Sequence, residues 1–139
     1  MGGISPAFVL DTFAVMAHFQ AEAGGKKAKE LLMRAESGEI SLSMSLINVG
    51  EMVYIVGREE GRDRAESMLN DLRALPIKFY DATEARILAA AWLKSKYPIS
   101  YADAFGASLA QELNALLVTG DPEFKAIKDG LSLFWLERF

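Results

Sequence analysis

Short apolar runs alternate with longer amphipathic segments along this chain of 139 residues. Runs such as AFVL at 7–10 and IKFY at 77–80 have the length of buried strands, whereas the segments between them carry apolar residues at helical spacing. Parallel strands need long crossover connections, and the intervening helices supply them. The alternation therefore predicts an α/β fold in which helices cover both faces of a parallel sheet.

Three further runs complete the predicted sheet. They are EISLSM at 39–44, ALLVT at 115–119 and LSLFWL at 131–136. No segment has the composition of a linker or an internal repeat, and a chain of this length can bury one core. We therefore expect residues 1–139 to form a single three-layer domain with about five parallel strands.

Glycines and capping residues mark the predicted helix ends. A helix is predicted to end at Gly57, and a charged helix follows it. Asp81 and Glu84 are spaced as a capping box at the start of a later helix. Ser100 and Asp103 are spaced as a second capping box.

Charge and composition exclude several classes of protein. The formal net charge of −4 gives no overall attraction for nucleic acid or an anionic membrane, so any basic surface has to be local. The absence of cysteine excludes disulfides, thiolate nucleophiles and cysteine-bound zinc. Neither a leader peptide nor an apolar run of about 20 residues occurs, so we expect a cytoplasmic protein without a membrane partner.

Four isolated acids are predicted to meet at one edge of the sheet. Asp11 directly follows the first strand, and Asp121 directly follows the fourth. Glu51 lies in the second turn of the helix after the second strand, and Asp103 lies in the first turn of the helix before the fourth. Ligands of parallel sheets bind beyond the carboxyl ends of the strands, which makes this edge the candidate site.

Each acid also has a purely structural explanation. Asp11 and Asp121 can cap the helices that follow them, and Pro122 suits the first position of a helix. Asp103 can simply close its capping box. Glu51 is harder to explain in this way, because it lies within the apolar stretch LINVGEMVYIV, where an unpaired carboxylate is costly.

Converging carboxylates repel one another unless a divalent cation neutralises them. Oxygen ligands without histidine or cysteine suit Mg²⁺ or Mn²⁺ rather than zinc. Acidic sites of this kind are typical of phosphodiester hydrolysis, in which the cation activates a water and stabilises the leaving oxygen. The four acids therefore favour a metal-dependent hydrolase.

The order and spacing of four motifs resemble those of the PIN-domain family, and especially its short VapC-type toxins. The motifs are FVLDTFAVMA, SLINVGEMVY, SYADAFGASLAQELNALLVTGDPEF and LSLFWL, which together extend over nearly the whole chain. The resemblance implies a ribonuclease that uses Mg²⁺ or Mn²⁺. It also implies four catalytic metal ligands, namely Asp11, Glu51, Asp103 and Asp121.

Two polar residues match the family pattern as supporting residues. Asn48 stands one helical turn before Glu51 and would orient that carboxylate. Thr119 stands two residues before Asp121 and would bind the metal's water or the phosphate. Both also have structural explanations, since Asn48 can be an early residue of a helix capped by Ser45 and Thr119 can end a strand.

For a VapC-type toxin, the resemblance further implies RNA as the substrate, a homodimer, and a small, separately encoded antitoxin that blocks the acidic pocket. The charged helix at 58–73 and the early helices are candidate dimer faces.

Two other classes stay open at this point. A non-catalytic PIN-like module would bind RNA or protein without cleaving, although it would not need the complete set of acids. A phosphate-handling α/β domain is the other. The dehalogenase type would carry a second Asp at the position of Phe13, and a phosphoryl receiver would carry an acid pair beside Asp11 and use Asp81 as its functional residue.

Overall fold

A computed structural model describes residues 6–127 and 130–136 of the chain. The strands are Ala7–Leu10 (β1), Ser41–Ser45 (β2), Ile77–Tyr80 (β3), Leu116–Thr119 (β4) and Ser132–Trp135 (β5). The helices are Thr12–Phe19 (α1), Gly25–Glu36 (α2), Leu46–Glu60 (α3), Arg62–Arg73 (α4), Glu84–Lys96 (α5) and Tyr101–Glu112 (α6), and a short 3-10 helix spans Pro122–Ala126.

The five strands form one sheet in the order β3-β2-β1-β4-β5, and every neighbouring pair is parallel. In the centre of the sheet, Val9 of β1 lies opposite Ser43 of β2 on one side and Leu117 of β4 on the other. The chain adds β2 and β3 on one side of β1 and then crosses over to add β4 and β5 on the other. The strand order therefore switches direction between β1 and β4, and parallel sheets bind ligands at such a point.

Side chains of the central strands point alternately to two separate cores. Phe8, Leu10 and Val118 contribute to the core beneath α1–α4. Val9 and Leu117 contribute to the core beneath α5 and α6. The predicted three-layer α/β fold is confirmed.

The end of α3 differs from the end predicted from the sequence. The helix that was predicted to end at Gly57 continues to Glu60, and Gly61, with a φ of 90°, ends it. A Cβ on Gly57 would lie 3.9 Å from the Cβ of Ala65, at the contact between α3 and α4. The cost of a glycine inside a helix, about 1 kcal/mol, does not stop the helix there, so this predicted helix end was wrong.

The two predicted capping boxes have different outcomes. Ser100 caps α6, since its Oγ accepts a hydrogen bond of 3.1 Å from the backbone N of Asp103. The residue that caps α5 is Thr83 rather than Asp81, because the Thr83 Oγ1 accepts the hydrogen bond from the backbone N of Arg86. The longest helix, α3, has 15 residues. None of the helices in the described ranges is long and apolar enough to cross a membrane.

Candidate metal centre

A cleft of about 490 Å³ opens where β1 and β4 end, at the point where the strand order switches. We call it the acidic cleft. All four acids that were singled out from the sequence line it: Asp11, Glu51, Asp103 and Asp121. Four different parts of the chain supply them, namely the turn after β1, α3, the first turn of α6 and the turn after β4. The structure thus brings together side chains that are up to 110 residues apart in sequence.

Asp11 is the buried acid of this cleft, with only 2% of its surface exposed. Its Oδ1 accepts a hydrogen bond of 2.8 Å from the backbone N of Ala14, so it also caps α1. Burial raises the pKa of Asp11 to about 7, and the nearby charges of Asp121 and Glu51 add to the rise. Hydrogen bonds from Thr119 and Ala14 act in the opposite direction but do not cancel it.

Thr119 is completely buried and links the turns that carry two of the acids. Its hydroxyl donates a hydrogen bond to the carboxylate of Asp11. The same Oγ1 accepts a hydrogen bond of 3.0 Å from the backbone N of Asp121. In this structure Thr119 therefore holds two acids in place. The resemblance implied a contact of Thr119 with the metal's water or the phosphate instead.

Asp103 lies half-buried in the first turn of α6. Burial raises the pKa of Asp103 to about 8, a hydrogen bond with the carboxyl group of Glu123 raises it further, and the charges of Asp121 and Asp11 act in the same direction. A hydrogen bond with Ser100 lowers it. Without a cation, Asp103 and Asp11 therefore both tend to keep their protons near neutral pH.

Glu123 is an acid of this region that the reasoning from sequence did not single out. One carboxylate oxygen each from Asp103, Asp121 and Glu123 lie within 4.8 Å of one another. The backbone N of Glu123 donates a hydrogen bond of 3.0 Å to Asp121 Oδ1, which caps the 3-10 helix. The signal in the sequence was the pair of acids on either side of Pro122.

Glu51 is less buried than its apolar neighbours in sequence suggested. Val49, Met52 and Val56 of α3 are buried in the core, whereas Glu51 is partly exposed and lines the acidic cleft together with Ile55, one turn later. Glu51 is therefore half-buried at the cleft and not enclosed in the core. The carboxyl group that is fully buried at the cleft is that of Asp11.

Asn48 is completely buried and contacts the helix of Asp103. Its Nδ2 donates a hydrogen bond of 3.0 Å to the carbonyl oxygen of Ala102, the residue before Asp103. Within the described ranges there is no hydrogen bond between Asn48 and Glu51, the carboxylate that the resemblance paired with it. Asn48 therefore connects α3 to the start of α6 and supports Asp103.

The chemistry of the lining fits a divalent cation. Glu22 and Glu59 add two carboxylates to the acidic cleft, and no Lys, Arg or His of the described chain lines it. Carboxylate oxygens are the ligands that Mg²⁺ and Mn²⁺ prefer. The raised pKa values of two of these acids reflect burial and mutual repulsion that a cation would offset.

The family model of the PIN domain matches residues 8–130 of the chain. The chain belongs to the PIN-domain family. This assignment separates it from dehalogenase-type and phosphoryl-receiver domains. It agrees with the position of Asp81, which is exposed at the end of the edge strand β3 and does not line the acidic cleft.

Solved structures of toxin–antitoxin systems share this PIN-domain fold. VapBC2 from Rickettsia felis, bound to a promoter DNA fragment, is 23% identical with a TM-score of 0.73, and the match covers 94% of this chain and 99% of that one. VapBC-1 from nontypeable Haemophilus influenzae is 22% identical with a TM-score of 0.67, covering 93% and 97%. VapC20 from Mycobacterium tuberculosis, a Sarcin-Ricin loop cleaving toxin, is 18% identical with a TM-score of 0.67, covering 86% and 93%. No curated protein matches the chain.

Proposed function

We propose that this PIN-domain protein is a Mg²⁺- or Mn²⁺-dependent ribonuclease and the toxin of a type II toxin–antitoxin pair. The observation that carries the proposal is the meeting of four acids from distant parts of the chain in one cleft: Asp11, Glu51, Asp103 and Asp121. The toxin–antitoxin systems among its structural neighbours support the biological part of the proposal.

Asp11 and Asp103 are the proposed principal ligands of the cation. Glu51 and Asp121 would hold the attacking water or a second, weaker cation, and Glu123 is placed to join them. When bound, the cation supplies Lewis acidity to a water and to the phosphate, and neutralises charge on the leaving oxygen. In this arrangement the ligands have to give up their protons, so cation binding competes with protonation of Asp11 and Asp103.

The chain's own contacts hold these carboxylates before any ligand arrives. Thr119 joins the turns of Asp11 and Asp121. Ser100 caps the helix that carries Asp103, and the positive end of that helix dipole favours ionised acids and phosphate. Preorganisation of this kind means that little reordering is required when the substrate binds.

The charge of the cleft also bears on the proposed partners. Since acids and no basic side chains of the described chain line the cleft, contacts between RNA phosphates and Lys or Arg must come from outside it. For the same reason, we propose that the antitoxin covers the cleft with a segment that carries positive charge. The toxin–antitoxin complexes among the neighbours support an antitoxin as a partner.

We also propose a homodimer, and the structure adds a candidate face to those from the sequence. The charged helix at 58–73 was one of the candidates, and its main part, α4, exposes mainly charged and polar residues. The helix α5 exposes large apolar side chains instead, with Leu88 at 52% and Trp92 at 70% exposure. A patch of this kind on a helix is typical of a protein–protein interface.

Cleavage of RNA by purified protein tests the central proposal. We expect cleavage with Mg²⁺ or Mn²⁺, none with EDTA, and recovery when the metal is restored. The protein with Asp103→Asn serves as the matched control against contaminating nucleases. Cleavage that persists in EDTA, or that is equal in the control, would contradict the proposal. Binding of RNA without cleavage under any metal condition would favour the non-catalytic module.

A further inference from the structure

The ring of Phe13 occupies the space beside Gly120. A Cβ added to Gly120 would lie 2.6 Å from Cζ and 3.2 Å from Cδ1 of Phe13, and it would overlap Cε1. Carbon atoms that are not bonded to each other keep a separation of about 3.5–4.0 Å. Position 120 therefore accepts no side chain while the ring stays where it is.

This contact joins the same two turns that carry Asp11 and Asp121. Phe13 lies two residues after Asp11, in the first turn of α1. Gly120 lies between Thr119 and Asp121, immediately after β4. Thr119 makes the polar connection between the turns, and Phe13 makes an apolar one.

The position of Phe13 differs from that of a ring that only fills a core. It is partly exposed and lines the acidic cleft, whereas Phe8 on β1 is 4% exposed within the core. Among the described residues that line the cleft, Phe13 is the sole aromatic. The charges of Asp11 and Asp121 repel each other when both are ionised, which tends to push their turns apart. The ring of Phe13, packed between these turns, opposes that movement.

We propose that Phe13 is a positioning residue of the metal centre. It holds the turn of Gly120 against the start of α1 and so sets the distance between the carboxylates of Asp11 and Asp121. Gly120 is the necessary counterpart, because only a residue without a side chain lets the ring approach the backbone this closely. This inference rests on the proposed function, since it concerns the same site.

The test is the affinity for Mn²⁺, measured by titration calorimetry or electron paramagnetic resonance on the whole purified chain. Loss of a group that orients metal ligands typically costs about 10- to 100-fold in affinity, so we expect a loss of about tenfold or more for Gly120→Ala. Phe13→Leu, which removes the ring without adding bulk, should cause a smaller loss of Mn²⁺ affinity. The double variant should bind no more weakly than Phe13→Leu alone, because the added methyl group no longer meets the ring.

Two matched controls separate positioning from general packing. Phe19→Leu changes a partly buried ring at the other end of α1 that does not line the cleft, and it should lower the melting temperature without changing Mn²⁺ affinity. Gly57→Ala adds the same methyl group where there is room for it and should bind Mn²⁺ as the wild type does.

Wild-type affinity in Gly120→Ala and Phe13→Leu would overturn the inference and leave the proposed function intact. If Gly120→Ala does not fold, Phe13→Leu decides alone, and an affinity equal to that of Phe19→Leu overturns the inference. A wild-type chain that binds no Mn²⁺ would overturn the proposed function together with this inference.

Discussion

The carboxylate of Asp11 and the backbone N of Asp121 share one hydroxyl group, that of Thr119. The acids follow the neighbouring central strands β1 and β4, so this hydroxyl fixes the geometry at the point where the strand order switches. A threonine used in this way contributes through its two hydrogen bonds, and valine has the same shape without them.

Thr119→Val is therefore expected to weaken Mn²⁺ binding while the fold is retained. The substitution removes one of the two donors that favour the ionised form of Asp11 and leaves only the backbone N of Ala14, so Mn²⁺ affinity should fall by about 10- to 100-fold. The cost in the free energy of unfolding should be about 1–3 kcal/mol. Thr83→Val, which removes the hydroxyl that caps α5 outside the cleft, is the control and should leave Mn²⁺ affinity unchanged.

The stability of the metal-free protein should fall as pH rises from about 4 to about 8. The pKa of Asp11 rises from 3.8 to about 7 on folding, and that of Asp103 to about 8. Between these values the folded chain keeps protons that the unfolded chain releases, so a rise in pH favours unfolding. For Asp11 the resulting decrease in the free energy of unfolding is at most about 4 kcal/mol.

Urea unfolding in EDTA at pH 5 and pH 8 measures this effect, and Asp11→Asn should flatten the dependence on pH. With saturating Mn²⁺ the dependence should reverse, because a cation binds the ionised carboxylates better. A metal-free protein that is more stable at pH 8 than at pH 5 would contradict the raised pKa values.

Mn²⁺ or Mg²⁺ should raise the melting temperature of the wild-type chain. A ligand that binds only the folded state stabilises it, and at a concentration of about a hundred times Kd the increment should be roughly 5–10 °C. Asp103→Asn should largely abolish the increment, and Glu123→Gln should reduce it. Asp81→Asn alters an exposed acid outside the cleft and should leave the increment intact. An undiminished increment in Asp103→Asn would place the metal elsewhere.

Asp11→Asn and Glu51→Gln should both fold and lose RNA cleavage by about a hundredfold or more, since each removes a charge that faces the cation. Asn at position 11 can still cap α1. The metal-free Glu51→Gln protein should be at least as stable as the wild type, because repulsion of Asp11 is relieved. Cleavage retained in both purified variants, measured on the same RNA, would refute the four-acid site.

Trp92→Lys should convert a dimer to a monomer. The substitution places a charge in the middle of the apolar surface of α5, where a partner would have to desolvate it. Light scattering measures the change. A protein concentration of about tens of micromolar suits the measurement, because specific dimers form in this range. Met33→Lys, at a comparably exposed apolar residue on α2, is the comparison, and loss of the dimer in that variant instead would place the interface on the early helices. A wild-type monomer at this concentration would contradict the dimer proposal.

The parallel sheet and the meeting of the acids could be predicted because both follow from local patterns. Strands that alternate with helices imply parallel pairing, and parallel pairing places Asp11 and Asp121 at the same edge. The helix start that carries Asp103 was predictable from Ser100, since the capping pattern occupies four consecutive residues.

Contacts between distant segments could not be predicted in this way. The hydrogen bond from Asn48 to Ala102 joins residues 54 apart, whereas the family pattern paired Asn48 with Glu51. Glu123 meets Asp103 only because the chain after Asp121 forms a 3-10 turn. The helix α3 continues past Gly57, which lies at the contact with α4, and this contact is not visible in the local sequence.

The pairing of β1 with β4 has a consequence for the synthesis of this protein. Asp121, on the strand next to that of Asp11, is translated 110 residues after it. At about 5–20 residues per second, a ribosome needs about 5–20 seconds for that interval. During this time the growing chain holds only part of its acids, and a fragment released early by a premature stop codon could not assemble the site. A cell that makes the proposed toxin would thus be exposed only to chains that extend past Asp121.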